Sequence, residues 1–486
     1  MEHRLEALEL RQAAYERELK ERDERIADLE SRLQEARASA ALSAATSPAP
    51  LAPASAHGGQ NQDAVESHSG RRLSEEKAVE VAQSANETFG IYTPGSGFKV
   101  ARTTWGELNI SAYSYLRYLN QSGLDRTYVD HFGNVREMDR RNDVQMNKIL
   151  LYNHGWFLDP RFRYTFFLWG AEPALGTTSS ILVAGNLAYV FNDKFTLAGG
   201  VLALPSTRSL DGQFPLWQRV DARMVADEFM RGSYTQGFSA SGTLAPGLKY
   251  KTAIGNNLSS FGVSASRLDN KMDTWSLALS WMPTTGEFGP LANFGDFEQH
   301  EKLATLFSGR FTSSTEDRES QPGLDTPENT QVRLSSGVTV FTPNALGLGS
   351  TVERVDYRMA ALSAGLKYQG FYLEAEVYRR WLDGFRVTGA PLAYTRVVDD
   401  AAQIQGSMMV VPKRLQVYAN ASKVFGEFGD PWDAGVGLNW WPYGKRGFRL
   451  NGDLMYVKRS PIGSPFHPFS VGATGWTFNA NAEIAF

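Results

Sequence analysis

Residues 204 to 233 hold four guanidinium groups, Arg208, Arg219, Arg223 and Arg231, together with four carboxylates, Asp211, Asp221, Asp227 and Glu228. The chemistry such a stretch offers is recognition rather than reaction. A guanidinium forks two parallel hydrogen bonds onto a carboxylate or phosphate and so replaces the water around an anion. Set inside a narrow passage, these side chains would make an anion-leaning constriction. Because the charges balance, a second reading stands beside it: the arginines pair with acids of their own segment and with charges on the surrounding wall. Lys249 and Lys251 share one face of a strand. They extend the basic track or are solvated wall residues.

No other constellation points to catalysis. Of the seven histidines, His3, His57 and His68 precede the patterned region, and His131, His300 and His467 fall in expected connections. His154 lies near a strand end, without a nucleophile elbow or a metal-binding His pair. Glu427, Asp430 and Asp433 gather near Phe425, Phe428 and Trp432 but lack the defined loop that calcium prefers. We expect no enzymatic activity, metal or cofactor. The absence of cysteine fits an oxidising compartment.

The elements that would position these charges emerge from periodicity. From Gly106 onward apolar and polar residues alternate with period two, beginning with Leu108, Ile110, Ala112, Leu116 and Tyr118 against Glu107, Asn109, Ser111, Tyr115 and Arg117. Such stretches recur near 107–118, 143–155, 161–170, 180–191, 195–203, 234–245, 248–256, 273–282, 302–313, 356–368, 371–381, 401–411, 415–424, 431–441, 447–459 and 473–486, sixteen in all. Tight links follow strands two, four, six, ten, twelve and fourteen, among them Leu158-Asp159-Pro160, Pro246-Gly247 and Gln369-Gly370. Most odd strands are followed by long polar links, the longest over 119–142, 204–233 and 314–355.

Alternation alone does not say which face is inside. Charges oppose the greasy residues: Phe371, Leu373, Ala375 and Val377 alternate with Tyr372, Glu374, Glu376 and Arg380. Sixteen strands enclose an aqueous channel, whereas eight already fill with side chains, so the charges are expected inside and the greasy residues against lipid. The chain is 42% hydrophobic with mean hydropathy −0.33. A wet-lumened barrel has that balance as readily as a soluble protein does. No run of eighteen apolar residues exists to form a membrane helix. No charged-then-apolar leader precedes the first heptad, so an export signal is expected to have been removed. The fold class expected is all-β: a sixteen-stranded antiparallel transmembrane β-barrel over 106–486, with an N-terminal α-helical coiled coil.

The coiled coil occupies residues 1–37. Leu5, Gln12, Leu19, Ile26 and Leu33 stand at a, with Leu8, Tyr15, Arg22, Leu29 and Ala36 at d. Arg4, Arg11 and Arg25 at g face Glu9, Glu16 and Glu30 at e across a parallel interface, and the windows Arg4–Glu9 and Arg25–Glu30 fit a three-stranded coil. An Ala/Ser/Pro/Gly linker spans 38–73. Residues 74–105 hold a short helix, capped by Ser74 and ended at Gly90, and a lead-in to the barrel. Residues 1–75 carry 10 Lys+Arg against 14 Asp+Glu, and the rest of the chain is formally neutral. No basic excess points to nucleic acid.

The final strand, from Trp476 to Phe486, stops on an aromatic ring and resembles the insertion signal of bacterial outer-membrane barrels. Gly199-Gly200-Val201-Leu202-Ala203-Leu204-Pro205 leads from a strand into the long link that returns at Arg231-Gly232-Ser233, a path similar to a porin constriction loop. On these features and the alternation of links, the chain resembles trimeric bacterial porins. The nearest likeness is to the group that includes the phosphate-selective porins O and P and the dicarboxylate porins with N-terminal coiled coils. The resemblance implies passive diffusion of small hydrophilic, including anionic, solutes through a homotrimer. It implies contact with outer-membrane lipid and lipopolysaccharide, and a coiled coil in the periplasm. The candidate constriction is Arg208, Arg219, Arg223, Arg231, Asp221, Lys249 and Lys251. The competing class is an anchor whose coiled coil tethers or spaces the membrane from peptidoglycan or a periplasmic partner.

Overall fold

The computed structural model describes Lys20, residues 92–93, and residues 97–486 apart from 147, 172–179, 211–214, 262, 265, 269–270, 324–329, 393 and 464–466. Contacts divide the chain into two units, Met1–Glu75 and Glu76–Phe486. The coiled coil expected over 1–37, the linker over 38–73 and the helix over 74–90 lie outside the described residues, Lys20 aside.

Sixteen strands build the wall of the second unit: β1 Gly106–Leu124, β2 Lys148–Phe157, β3 Asp159–Ala171, β4 Ser180–Asn192, β5 Phe195–Ala203, β6 Tyr234–Ala245, β7 Leu248–Gly255 and β8 Thr274–Trp281, then β9 Ala304–Asp317, β10 Ser350–Tyr368, β11 Phe371–Gly389, β12 Arg396–Val411, β13 Leu415–Phe425, β14 Trp432–Trp440, β15 Phe448–Lys458 and β16 Gly475–Ala485. Each overlaps a strand expected from the alternation. Every strand pairs antiparallel with its sequence neighbour, and β16 closes on β1 with Ala480 opposite Tyr118. Closure satisfies the backbone hydrogen bonds and leaves no open edge, which a membrane-spanning sheet requires.

The seam is reinforced by the lead-in. Strand Gly97–Arg102 pairs with β1 where β16 ends, placing Phe98 opposite Ile110, and the Phe98 and Phe486 rings lie 5.5 Å apart. Phe486 exchanges two backbone hydrogen bonds with Ala112, at 2.6 and 2.9 Å. The aromatic terminus is therefore part of the ladder.

The faces divide as a lipid-embedded wall would need. On β11, Phe371, Leu373 and Val377 are exposed while Tyr372, Glu374, Glu376, Tyr378 and Arg380 turn inward and are buried. On β16, Trp476, Phe478 and Ile484, and Phe486 just beyond it, are exposed, against buried Thr477, Asn479, Asn481 and Glu483.

Six of the links at one end are short. β2 turns into β3 through Leu158 alone, at φ 66°. Gly247, Gln369 and Gly370 also turn through positive φ, which glycine adopts without a Cβ penalty. The exception at that end is the link 282–303.

The interior departs from expectation at the opposite, long-loop end. There Val355, Tyr357, Met359, Leu382, Val397, Val424, Met455 and Val457 of the wall pack against Leu204, Phe229, Met230, Leu258, Val332, Leu334, Val340, Phe341, Leu346, Ile462 and Phe469 of infolded links. Buried charges persist at this end, among them Glu316 and Asp399, but they are set among these apolar residues.

Candidate functional site

The link 204–233 leaves β5 after Ala203, makes a 3-10 turn at Arg208–Leu210 and a one-and-a-half-turn helix, α1, at Val225–Met230, and returns at β6. It runs inside the barrel along the wall. Wall donors grip its carbonyls: Arg117 reaches Val220 O at 2.7 Å, Arg449 reaches Trp217 O at 2.6 Å and Asn439 reaches Gln218 O at 3.0 Å. In the other sense, the link's N–H groups at Val225 and Ala226 donate to Asp433 at 3.1 Å and Ser422 at 2.9 Å. Polar residues on the inner face thus satisfy a loop that would otherwise bury bare backbone.

Each arginine of this link meets an acid. Arg208 forks onto Glu374 through Nε and Nη2, both at 2.8 Å, and its Nη2 also donates to Ala292 O at 3.0 Å. Burial works against its charge, but Glu374 more than offsets this and keeps the guanidinium firmly protonated. Arg219 reaches Asp433 at 3.1 Å and Asp453 at 3.3 Å, with Asn420 as a further acceptor. Arg223 lies 3.2 Å from Glu228, donates to Ser209 at 2.8 Å and stacks 4.3 Å from the Trp217 ring. Arg231 also binds Glu228, at 2.5 and 2.9 Å. Burial opposes ionisation of Glu228, yet Arg231, His467 and Arg223 hold its carboxyl well below the ordinary range. Its neighbour Asp227 is pushed up, chiefly by burial. Asp221 accepts from Lys148 at 2.7 Å and Tyr115 at 2.9 Å, and Asp211 lies outside the described residues.

These residues separate into two neighbourhoods. Arg208, Lys249 and Lys251 line one cavity of about 500 Å³ near the short-turn end, with Ser241, Thr243, Ser280 and Glu287. Arg219 and Arg223 border a pocket of about 30 Å³, where buried Gln218 and Asp227 leave oxygen atoms without a hydrogen-bond partner among the described residues. A pocket of that size and polarity suits bound water.

A second infolded segment escaped the sequence reading. The link 282–303 turns back into the barrel from the end where other connections are tight. Lys367 holds Phe288 O at 2.8 Å and Asn293 Oδ1 at 2.5 Å. Asp296 accepts from Gly370 N at 2.8 Å and from the His300 ring, and Arg446 clasps Glu298 at 2.8 to 3.0 Å. Phe294 packs near Tyr372 and Phe297 lies 5.0 Å from Trp441. Its signal was the missing tight turn after strand eight, filled by three phenylalanines, Asn293 and Asp296.

Among the described residues, no three His, Asp or Glu side chains converge as metal ligands. The acidic trio near Phe428 is dispersed: Asp433 bonds Arg219, Glu427 accepts from Val398 N at 2.9 Å, and Asp430 faces a surface groove.

No family model matches the chain, and no curated relative does. Solved structures of similar form include the outer-membrane channel DcaP of Acinetobacter baumannii, at 9% identity and TM-score 0.49, covering 80% of this chain and 100% of that one. The anion-selective porin of Comamonas acidovorans gives 11% identity and TM-score 0.48, covering 78% and 100%. The trimer form of the outer-membrane protein OmpT of Vibrio cholerae gives 11% and 0.46, covering 79% and 100%.

Proposed function

We propose that this chain is an outer-membrane porin, a homotrimer whose barrels let small hydrophilic solutes, anions included, diffuse down their gradients. One observation carries the reading: a closed sixteen-stranded wall turns apolar side chains outward and ionisable ones inward, with the link 204–233 laid through its interior. That is how a hydrated lumen is made inside lipid. In this orientation the short turns and the N-terminal coiled coil lie in the periplasm, the long links face outward, and the outer rim meets lipopolysaccharide. We assign Lys249 and Lys251 to contact with anionic solutes, since they line one cavity, while Arg208 at its edge is buried and holds Glu374 and Ala292 O in place. Arg219, Arg223, Arg231 and Asp221 hold the shape of the constriction through their ion pairs. No chemical step is assigned.

The apolar packing of the long-loop end favours a second reading, a closed barrel that anchors the coiled coil to the cell wall. Planar-bilayer recording decides between them. A porin gives stepwise conductance that survives removal of residues 1–73; an anchor gives none.

A further inference from the structure

A groove of about 670 Å³ opens at the long-loop rim, apart from the lumen link. Its size is that of a small-molecule site, for which roughly 300–1,000 Å³ is usual. It lies between the small hairpin formed by Thr127–Val129 and Val135–Glu137, the turn 426–431 and the ends of β15 and β16.

The walls are built in advance. Asp130 gathers the hairpin tip, accepting from the N–H groups of Phe132 and Asn134 at 2.9 Å each and from Arg136 at 2.8 Å. His131 is fixed between Ser336 Oγ and Ala345 O, both at 2.8 Å. Phe428 N donates to Ser335 Oγ at 3.0 Å, and the Phe428 ring lies 5.5 Å from both His131 and Tyr394. Tyr128 lies on Gly472, where φ is +80° and a Cβ would stand 2.2 Å from the ring. Only glycine leaves room for that aromatic wall.

Four charged side chains line the groove without an ion pair or side-chain hydrogen bond to any described residue: Asp125, Asp430, Lys458 and Arg459. The arginines of link 204–233, by contrast, all have acid partners. The strand order sets their sequence along the rim: Asp430 before β14, Lys458 and Arg459 at the end of β15, and Asp125 beyond β1. Two bases thus stand between two acids. Arg459 adopts φ 49°, interrupting the strand alternation so that consecutive residues border one groove. Its acids do not converge on a metal, and their balance against the bases suits neither a simple anion nor a simple cation.

We propose that this groove binds a zwitterion, an amino acid or short peptide with an apolar side chain. The carboxylate takes the forked donors of Arg459 with Lys458 beside it. The ammonium takes Asp430 or Asp125 and the faces of Tyr128 and Phe428, and the apolar side chain lies on Phe428, Val129 and Val135.

Calorimetric titration of the detergent-solubilised full-length chain tests this without requiring conduction, so its failure leaves the porin reading standing. The dipeptide Ala-Phe should bind saturably at one site per chain. Its N-acetylated, C-amidated form should bind about tenfold or more weaker, as should Ala-Phe to Arg459→Gln and to Asp430→Asn. Unchanged heat-modifiable electrophoretic mobility checks that both variants fold. Equal affinity for the blocked peptide, saturable binding of only maltose or only phosphate, or no saturable Ala-Phe binding would each overturn the proposal.

Discussion

Arg208 joins three parts of the interior, and replacing it with methionine isolates what that joint does. The side chain is 1% exposed and Glu374 is 2% exposed. Arg208→Met removes both forked bonds, the bond to Ala292 O and the packing of the guanidinium 5.2 Å from the Phe294 ring. Breaking a buried pair from one side costs about 3–5 kcal/mol because the partner remains charged and uncompensated. At about 1.4 kcal/mol per tenfold, the lower figure changes the docked-to-undocked ratio of the loop by roughly a hundredfold. The wall has its own continuous hydrogen-bond ladder, so the loss falls on docking of links 204–233 and 282–303 and not on barrel closure. Single-channel recordings should show larger and noisier conductance, and reversal potentials should move toward cations because Glu374 loses its counter-charge. Glu374→Gln should move them toward anions. The double variant, with both charges gone, should recover quiet openings, since a neutral pair carries no unpaired charge. A quiet Arg208→Met channel with unchanged selectivity, or a double variant as noisy as the single, would refute the coupling.

Other perturbations address the remaining elements. Replacing residues 284–301 by a short Gly/Ser connection should raise conductance with the barrel's heat-modifiable mobility unchanged; equal conductance would mean that this link does not narrow the lumen. The same link should respond to pH through His300, whose value rises above its ordinary 6.5, first through the hydrogen bond to Asp296 and then, against burial, through the charges of Asp296 and Glu287. Burial alone would raise Asp296, but hydrogen bonds from His300 and Gly370 bring it below its ordinary 3.8. The His300 contribution is therefore complete below pH 6.5 and lost as pH climbs through its raised value. The Asp296 contribution is present above 3.8 and lost as pH falls through its lowered value. Proteolytic protection of the link should be greatest between these bounds and decline in mild alkali; protection that rises in alkali would contradict the assignment. On the outer face, Leu373→Arg should destabilise the folded barrel in liposomes by about 2–4 kcal/mol if it sits near the bilayer midplane, and an unchanged urea midpoint would place that residue in water.

Leu373 also marks how far the wall could be read from sequence. Along β11 the outward residues Phe371, Leu373, Ala375 and Val377 are apolar; the next outward residues are Arg379, Trp381 and Asp383, while the inward side runs from Glu374 and Glu376 through Tyr378 and Arg380 to Leu382. The period persists: on β11 charge appears on the outward face around Trp381, and on β10 the sign reverses, with Arg354, Asp356 and Arg358 outward against buried Val352, Val355, Tyr357 and Met359. A search for greasy-outward alternation therefore ends the strand near 381, eight residues short of Gly389, and begins β10 at 356 instead of Ser350. The reversal has a physical cause on each face. Outside, Arg379 pairs with Asp400 at 2.7 Å and Arg354 with Asp317 at 2.5 Å, ion pairs suited to water or lipid headgroups but not to acyl chains. Inside, Leu382 and Val397 meet the apolar residues of infolded links. The site's pairing was less legible because it is non-local: Arg208 and Glu374 are 166 positions apart, and a balanced tally of charges in 204–233 cannot show which acids the arginines choose. The sign change makes a firmer boundary than the strand ends do. If lipid stops where outward charge begins, a spin label at position 377 should be shielded from a water-soluble relaxation agent and one at 381 or 383 exposed to it. Equal accessibility across that step would remove the argument that this wall leaves the bilayer at Arg379.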